Sequence, residues 1–132
     1  MIGVDTNVLV RFFVQDDTGQ AEIAQKFLSQ RTASDPAFLS AVVVVELVWA
    51  LKENYDCDRH QIHAVLALLA NSANVSIERE DLIKAAIASA QAANADIADS
   101  IIAVLARDAG CAATMTFDKI AAKRIAGMEL LA

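Results

Sequence analysis

An α/β fold with a central parallel β-sheet flanked by helices is the class this sequence predicts, on three observations. Short β-branched runs alternate with longer segments of helical periodicity, an order that implies crossovers between parallel strands covered on both faces. The chain of 132 residues is 56% hydrophobic with only four Gly and one Pro, which excludes disorder and favours a compact, helix-rich fold. That length suits one full hydrophobic core, so residues 1–132 read as a single domain.

Each element has a local reason. Residues 1–5, MIGVD, read as a short buried strand ending at an acid, and Thr6 is a cap candidate for a helix over residues 7–13. "QDDTGQ" is turn-like, after which Ala21, Ile23, Ala24, Phe27 and Leu28 recur at helical spacing up to about residue 30. "SDPAFLS" supplies a proline break, a short strand and Ser40 as a second cap candidate. The valines from Val42 to Val45 favour a strand, but the apolar pattern continues through Leu47, Val48, Trp49 and Leu51 toward Tyr55. That is too long for an ordinary strand and suits a buried helix started by Ser40. A helix over residues 58–70 precedes a strand at residues 75–77. "EREDLIKAAIASAQAAN" and "DIADSIIAVLARDAG" are two helices in succession, the second closed by Gly110. "CAATMTF" reads as a buried strand, residues 118–125 as a short helix and residues 128–130 as an edge strand.

Composition also narrows the environment. Cys57 and Cys111 lie far apart with no CxxC or metal-ligand spacing around either, which argues against a disulfide framework and fits a reducing cytoplasm. The first residues lack a basic region and carry Asp5, so they make a poor signal peptide. The apolar run from Val42 to Val48 is interrupted by Glu46 and falls well short of the roughly 20 residues that a membrane span needs. A cytoplasmic protein with no membrane partner is expected. The net charge of −6 argues against gripping nucleic acid through the overall field. It leaves room for a nuclease, because carboxylates neutralised by bound cations still count as negative in the sequence.

Working sites in parallel α/β folds lie beyond the carboxyl ends of the strands. Asp5 closes the first strand and Asp118 follows the "ATMTF" strand; Asp99 lies near the start of the helix leading into that strand, with Asp96 one turn earlier on the same face. Glu46 stands nearly two turns into the helix begun by Ser40, inside one of the most apolar stretches of the chain. Each acid alone has an ordinary reading: Asp5 and Asp118 as helix caps, Asp96 and Asp99 as first-turn acids offsetting the helix dipole, Glu46 as part of a narrow polar stripe with Ala50 and Glu53. Together they suggest one acidic pocket, which requires cations because close carboxylates repel. A donor set of oxygens without His or Cys suits Mg²⁺ or Mn²⁺, and such ions promote hydrolysis of phosphodiesters.

With these residues in place, the chain resembles a PIN-domain ribonuclease, and more narrowly the VapC-type toxin of a bacterial toxin–antitoxin pair. "DTNVLVRFFVQDD" resembles the family's opening, "FLSAVVVVELVWAL" its second-acid helix, "DIADSIIAVLARDAGC" its third-acid helix and "TMTFDKIAAK" its closing strand and acid. The resemblance implies a three-layer α/β fold, Mg²⁺-dependent endonucleolytic cleavage of RNA, a homodimer and inhibition by a cognate antitoxin, with DNA contacted only indirectly through that antitoxin. It assigns Asp5, Glu46, Asp99 and Asp118 as the catalytic, metal-holding quartet and Asp96 as an auxiliary metal acid. Thr6, Asn7, Ser40 and Thr116 sit beside the quartet as candidates to support carboxylates or water. Many relatives have Pro where this chain has Thr18.

Among the remaining residues, Arg11, Lys119, Lys123 and Arg124 are candidate RNA contacts, with a solvated helix face as the plain alternative. Cys57, His60 and His63 fall at helical spacing, but no fourth ligand is in view and an exposed helix face is the better reading. Trp49, Phe12, Phe13 and Phe27 occur in apolar helical patterns and read as core or dimer contacts. A phospho-receiver is a rival on a similar sheet, but it wants adjacent acids after the first strand, where only Asp5 stands. A DxD phosphatase meets Asn7 in place of its second Asp, and a catalytically idle PIN-like binding module is opposed by the intact quartet.

Overall fold

A computed structural model describes residues 1–132, which form two compact units, Met1–Glu80 and Asp81–Ala132. Unit 1 contains β1 (Ile2–Gly3), α1 (Thr6–Val14), α2 (Thr18–Ser29), β2 (Ala37–Leu39), α3 (Ala41–Tyr55), α4 (Arg59–Ala70) and β3 (Val75–Ile77). Its three strands pair in parallel in the order β1-β2-β3, with Ile2 opposite Ala37 and Ala37 opposite Val75. Parallel neighbours need long crossovers, and the helices supply them. Helix α1 packs on α2 and α3, and α4 packs on α3 and β3.

The helix starts follow side-chain chemistry. Ser40 Oγ accepts from Val43 N at 3.2 Å and so caps α3, as the sequence predicts. Asp58 and Gln61 exchange bonds in a capping box at the start of α4. At α1 the cap is Asp5 rather than the expected Thr6, which is the first helical residue. Thr18 occupies the first position of α2, after the cap Asp17, where the proline of many relatives is equally at home because its missing N–H is not needed there.

The long apolar segment of α3 resolves by periodicity. Val44, Leu47, Val48 and Leu51 are buried, whereas Val42 and Trp49 are 65% and 58% exposed. Each fully buried leucine contributes roughly 1.5–3 kcal/mol through removal from water. Trp49 is therefore no core residue, contrary to one of the two roles expected of it. Phe12 and Phe13 are half-buried and meet edge to face, 5.0 Å between centroids. Strand β1 also departs from expectation: it is two residues long and exposed, and burial begins at Val4.

Unit 2 contains most of α5 (Glu80–Ala93), then α6 (Ile97–Asp108), β4 (Thr114–Thr116), α7 (Lys119–Arg124) and β5 (Met128–Leu130). Strands β4 and β5 pair in parallel, so the parallel strands of the chain hydrogen-bond in two sets, one in each unit. Ala95, Ala103, Ala121, Ile125 and Met128 form a buried cluster. Gly110 follows the last residues of α6 with φ of +97°, a left-handed conformation that costs a glycine little. Strand β4 is less buried than predicted, since Met115 is 50% and Phe117 74% exposed on the face that Met115 shares with its partner Glu129.

Candidate functional site

Asp5 follows β1 and turns the chain into α1; its Oδ1 accepts from Thr6 N at 2.8 Å and its side chain is exposed. The next residue is buried to 7% exposure, and the Thr6 hydroxyl has no hydrogen-bond partner. A buried, unpaired hydroxyl costs about 1–3 kcal/mol, so this position gains from a polar ligand or an ordered water. Asn7 beside it is exposed.

Glu46 is exposed although it stands in one of the most apolar stretches of the chain. The 3.6-residue period turns it away from Leu47 and Val48 and places it with Val42, Trp49 and Glu53 on the open face of α3. Ser40 has its hydroxyl engaged in the cap and not at a carboxylate.

In unit 2, Asp96 caps α6: its Oδ1 accepts from Asp99 N at 2.9 Å, and its carbonyl accepts from Ser100 Oγ at 2.9 Å. Asp96 and Asp99 are both half-buried in this first turn. Asp118 is exposed and caps α7, with Oδ1 accepting from Ile120 N and Ala121 N at 2.9 Å each. Thr116 Oγ1 accepts from Asp118 N at 3.0 Å and so fixes the turn between β4 and α7. At Asp5 and Asp118 the cap and the chemical reading coexist, because the cap bonds use Oδ1 alone.

The predicted acids thus divide by sequence, Asp5 and Glu46 in unit 1 and Asp96, Asp99 and Asp118 in unit 2. Neither unit by itself gathers three or more Asp, Glu, His or Cys into a set that can hold a metal ion. The Cys57, His60 and His63 segment forms no such set either. It also differs from the predicted exposed face, because His63 is 8% exposed with an unpartnered Nε2. Burial, with the charges of Arg59 and His60, holds its pKa below the usual imidazole range.

Of the four candidate RNA-contacting cations, Lys119 and Lys123 are exposed on α7, while Arg124 Nη1 donates to Asn94 O at 2.8 Å. Arg11 is half-buried, its Nε donating to Gln20 Oε1 at 2.6 Å and its Nη1 to Asp16 Oδ1 at 3.2 Å. No residue pattern marks Gln20, because its bond to Arg11 forms only when α1 packs on α2. Arg11 and Gln20 border a pocket of about 640 Å³ in unit 1, lined also by Asp5 and Asn7.

No helix is long and apolar enough to cross a membrane. The PIN domain family matches residues 2–128, and comparison with curated proteins gives no match.

Proposed function

Because the chain belongs to the PIN domain family over residues 2–128, we propose that it is a Mg²⁺- or Mn²⁺-dependent endoribonuclease acting as the toxin of a toxin–antitoxin pair. PIN domains are typically nucleases and generally use divalent metal ions. The observation that carries the proposal is the pair of exposed aspartates, Asp5 and Asp118, each directly after a parallel strand and at the start of a helix. That position is where α/β folds bind ligands.

The donor chemistry of these residues suits a hard divalent cation. Their donors are all carboxylate oxygens, and the orphaned Thr6 hydroxyl beside Asp5 offers a polar group lacking a partner. We assign Asp5, Glu46, Asp99 and Asp118 to hold the metal and Asp96 to assist. A divalent ion so held supplies an activated water and charge stabilisation for phosphodiester hydrolysis. The chain's own part is to fix the carboxylates: Thr6 N orients Asp5, the start of α7 orients Asp118, and Asp96 pins the first turn of α6 that carries Asp99. Lys119 and Lys123 add cations at α7 for an RNA backbone that the net charge of −6 does not otherwise attract.

A cognate antitoxin and a homodimer complete the proposal, with the antitoxin supplying any DNA contact and the cytoplasm the setting. Induced expression of wild type and of Asp99→Asn in a bacterial host, read by growth and by mapping new RNA 5′ ends, tests it. Growth arrest with discrete new ends for wild type alone supports a ribonuclease toxin. Identical growth and identical ends for both proteins would favour a catalytically idle binding module.

A further inference from the structure

The pocket in unit 1 has a volume, about 640 Å³, typical of small-ligand sites, which span roughly 300–1,000 Å³. Its walls are mostly apolar, with Val4, Val8, Ile23, Ala24 and Phe27 among them. The polar lining residues are few: Asp5, Asn7, Arg11 and Gln20. Arg11 is not a free-swinging cation, because Gln20 at 2.6 Å and Asp16 at 3.2 Å hold its guanidinium. Those two bonds occupy two of five N–H donors and leave three. Gln20 accepts through its carbonyl oxygen, which leaves its NH₂ group as a donor.

This mixture suits a nucleotide. A nucleobase is apolar on its faces and polar at its edge, so apolar walls and the amides of Asn7 and Gln20 answer both, while the Arg11 guanidinium, although ion-paired with Asp16, keeps three N–H donors for the attached phosphate. An aliphatic peptide side chain answers the walls alone. Anchoring must also be local, because a chain of net charge −6 has no general attraction for a polyanion. We infer that the pocket lined by Asp5, Asn7, Arg11, Gln20, Ala24 and Phe27 is the subsite for one unstacked RNA nucleotide beside the scissile phosphate, with Arg11 on its phosphate. The inference rests on the ribonuclease reading and names the substrate contact of that same site.

The test uses the full chain and two readouts. In EDTA, binding of a mixed-sequence single-stranded RNA 12-mer is measured by fluorescence anisotropy over a range of salt. With Mg²⁺, KM and kcat are measured on an oligonucleotide containing the wild-type cut site, and on versions with one abasic nucleotide on either side of the cut. Arg11→Gln and the pocket-filling Ala24→Phe should each weaken binding about tenfold and raise KM more than they lower kcat. Arg11→Gln should also reduce the slope of log K against log salt by about 0.7, and Arg11→Lys should restore it, a change that a merely structural role does not produce. One abasic position should weaken binding to wild type and add nothing to Ala24→Phe. The abasic oligonucleotides and the Arg11→Lys comparison keep the test decisive if Ala24→Phe fails to fold. If wild type cuts no RNA, the activity reading falls, and the pocket is then judged on the EDTA binding alone. RNA affinity indifferent to the Arg11 variants and to both abasic positions overturns the inference and leaves the apolar walls to a protein partner.

Discussion

Two strand-to-helix corners carry an aspartate in the same frame and use it differently. At the corner between β1 and α1, Asp5 holds one amide, Thr6 N, and leads into a nine-residue helix with Leu9 and Val10 buried behind it. At the corner between β4 and α7, Asp118 holds two amides and leads into a six-residue helix with only Ala121 buried. Burial anchors the first helix and leaves its acid more at liberty, whereas the second helix depends more on its cap. Position after a strand therefore predicts where an acid stands, but packing behind it decides how far its charge is committed to structure.

Replacing the carboxylate by its amide separates the two roles, since Asn caps as well as Asp but carries no charge. Asp5→Asn should lower metal-dependent RNA cleavage by at least about a hundredfold while stability in urea changes by less than about 0.5 kcal/mol. Wild-type turnover in this variant at saturating Mg²⁺ would remove Asp5 from the chemistry. Truncation reads the structural side: Asp118→Ala should cost about 2 kcal/mol and Asp5→Ala about 0.5 kcal/mol, the two ends of the usual cap range. Equal losses in urea denaturation would erase the distinction between the corners.

His63 gives a pH signature confined to unit 1. Its folded-state pKa lies below the ordinary value of 6.5, so the unfolded chain takes up the proton first on acidification. The contribution of His63 should leave stability level above about pH 6.5 and lower it as pH falls below that value toward the folded pKa. His63→Leu should flatten that part of the stability profile; an unchanged slope would mean that other groups carry it. The smallest effect belongs to Glu46→Gln, which should leave stability within about 0.5 kcal/mol because the side chain is exposed. The same variant should weaken Mn²⁺ binding measured by calorimetry, and unaltered affinity would reduce Glu46 to a surface acid.

Much of this organisation is legible in residue order. Ser40 and Asp58 announce their helices because a short oxygen-bearing side chain is what a helix start lacks, and β3 lies where Val75 to Ile77 break the helical pattern. The valines of α3 resolve correctly by length. Glu46 shows the limit of local composition: an acid in an apolar run is buried only if it falls on the buried face. His63 misleads in the opposite sense, since a polar residue in a loop-preceded segment joins the inward face of α4 with Ile62 and Leu66. The Arg11 to Gln20 bond lies beyond pattern reading, because it depends on how α1 and α2 pack across a turn. Chemistry-bearing residues are thus visible by type and position, and their exposure and partners emerge only from packing.

Metal-dependent cleavage of RNA through Asp5, Glu46, Asp99 and Asp118 is the proposed activity. Its most direct test is incubation of purified protein, freed of any co-purifying antitoxin, with a mixed cellular RNA pool in Mg²⁺ or Mn²⁺ and in EDTA, with Asp99→Asn as control. Cuts at a few defined sites that require both the metal and Asp99 are the predicted result. An RNA pool left intact by wild type in every metal, or cut equally by Asp99→Asn, would contradict it.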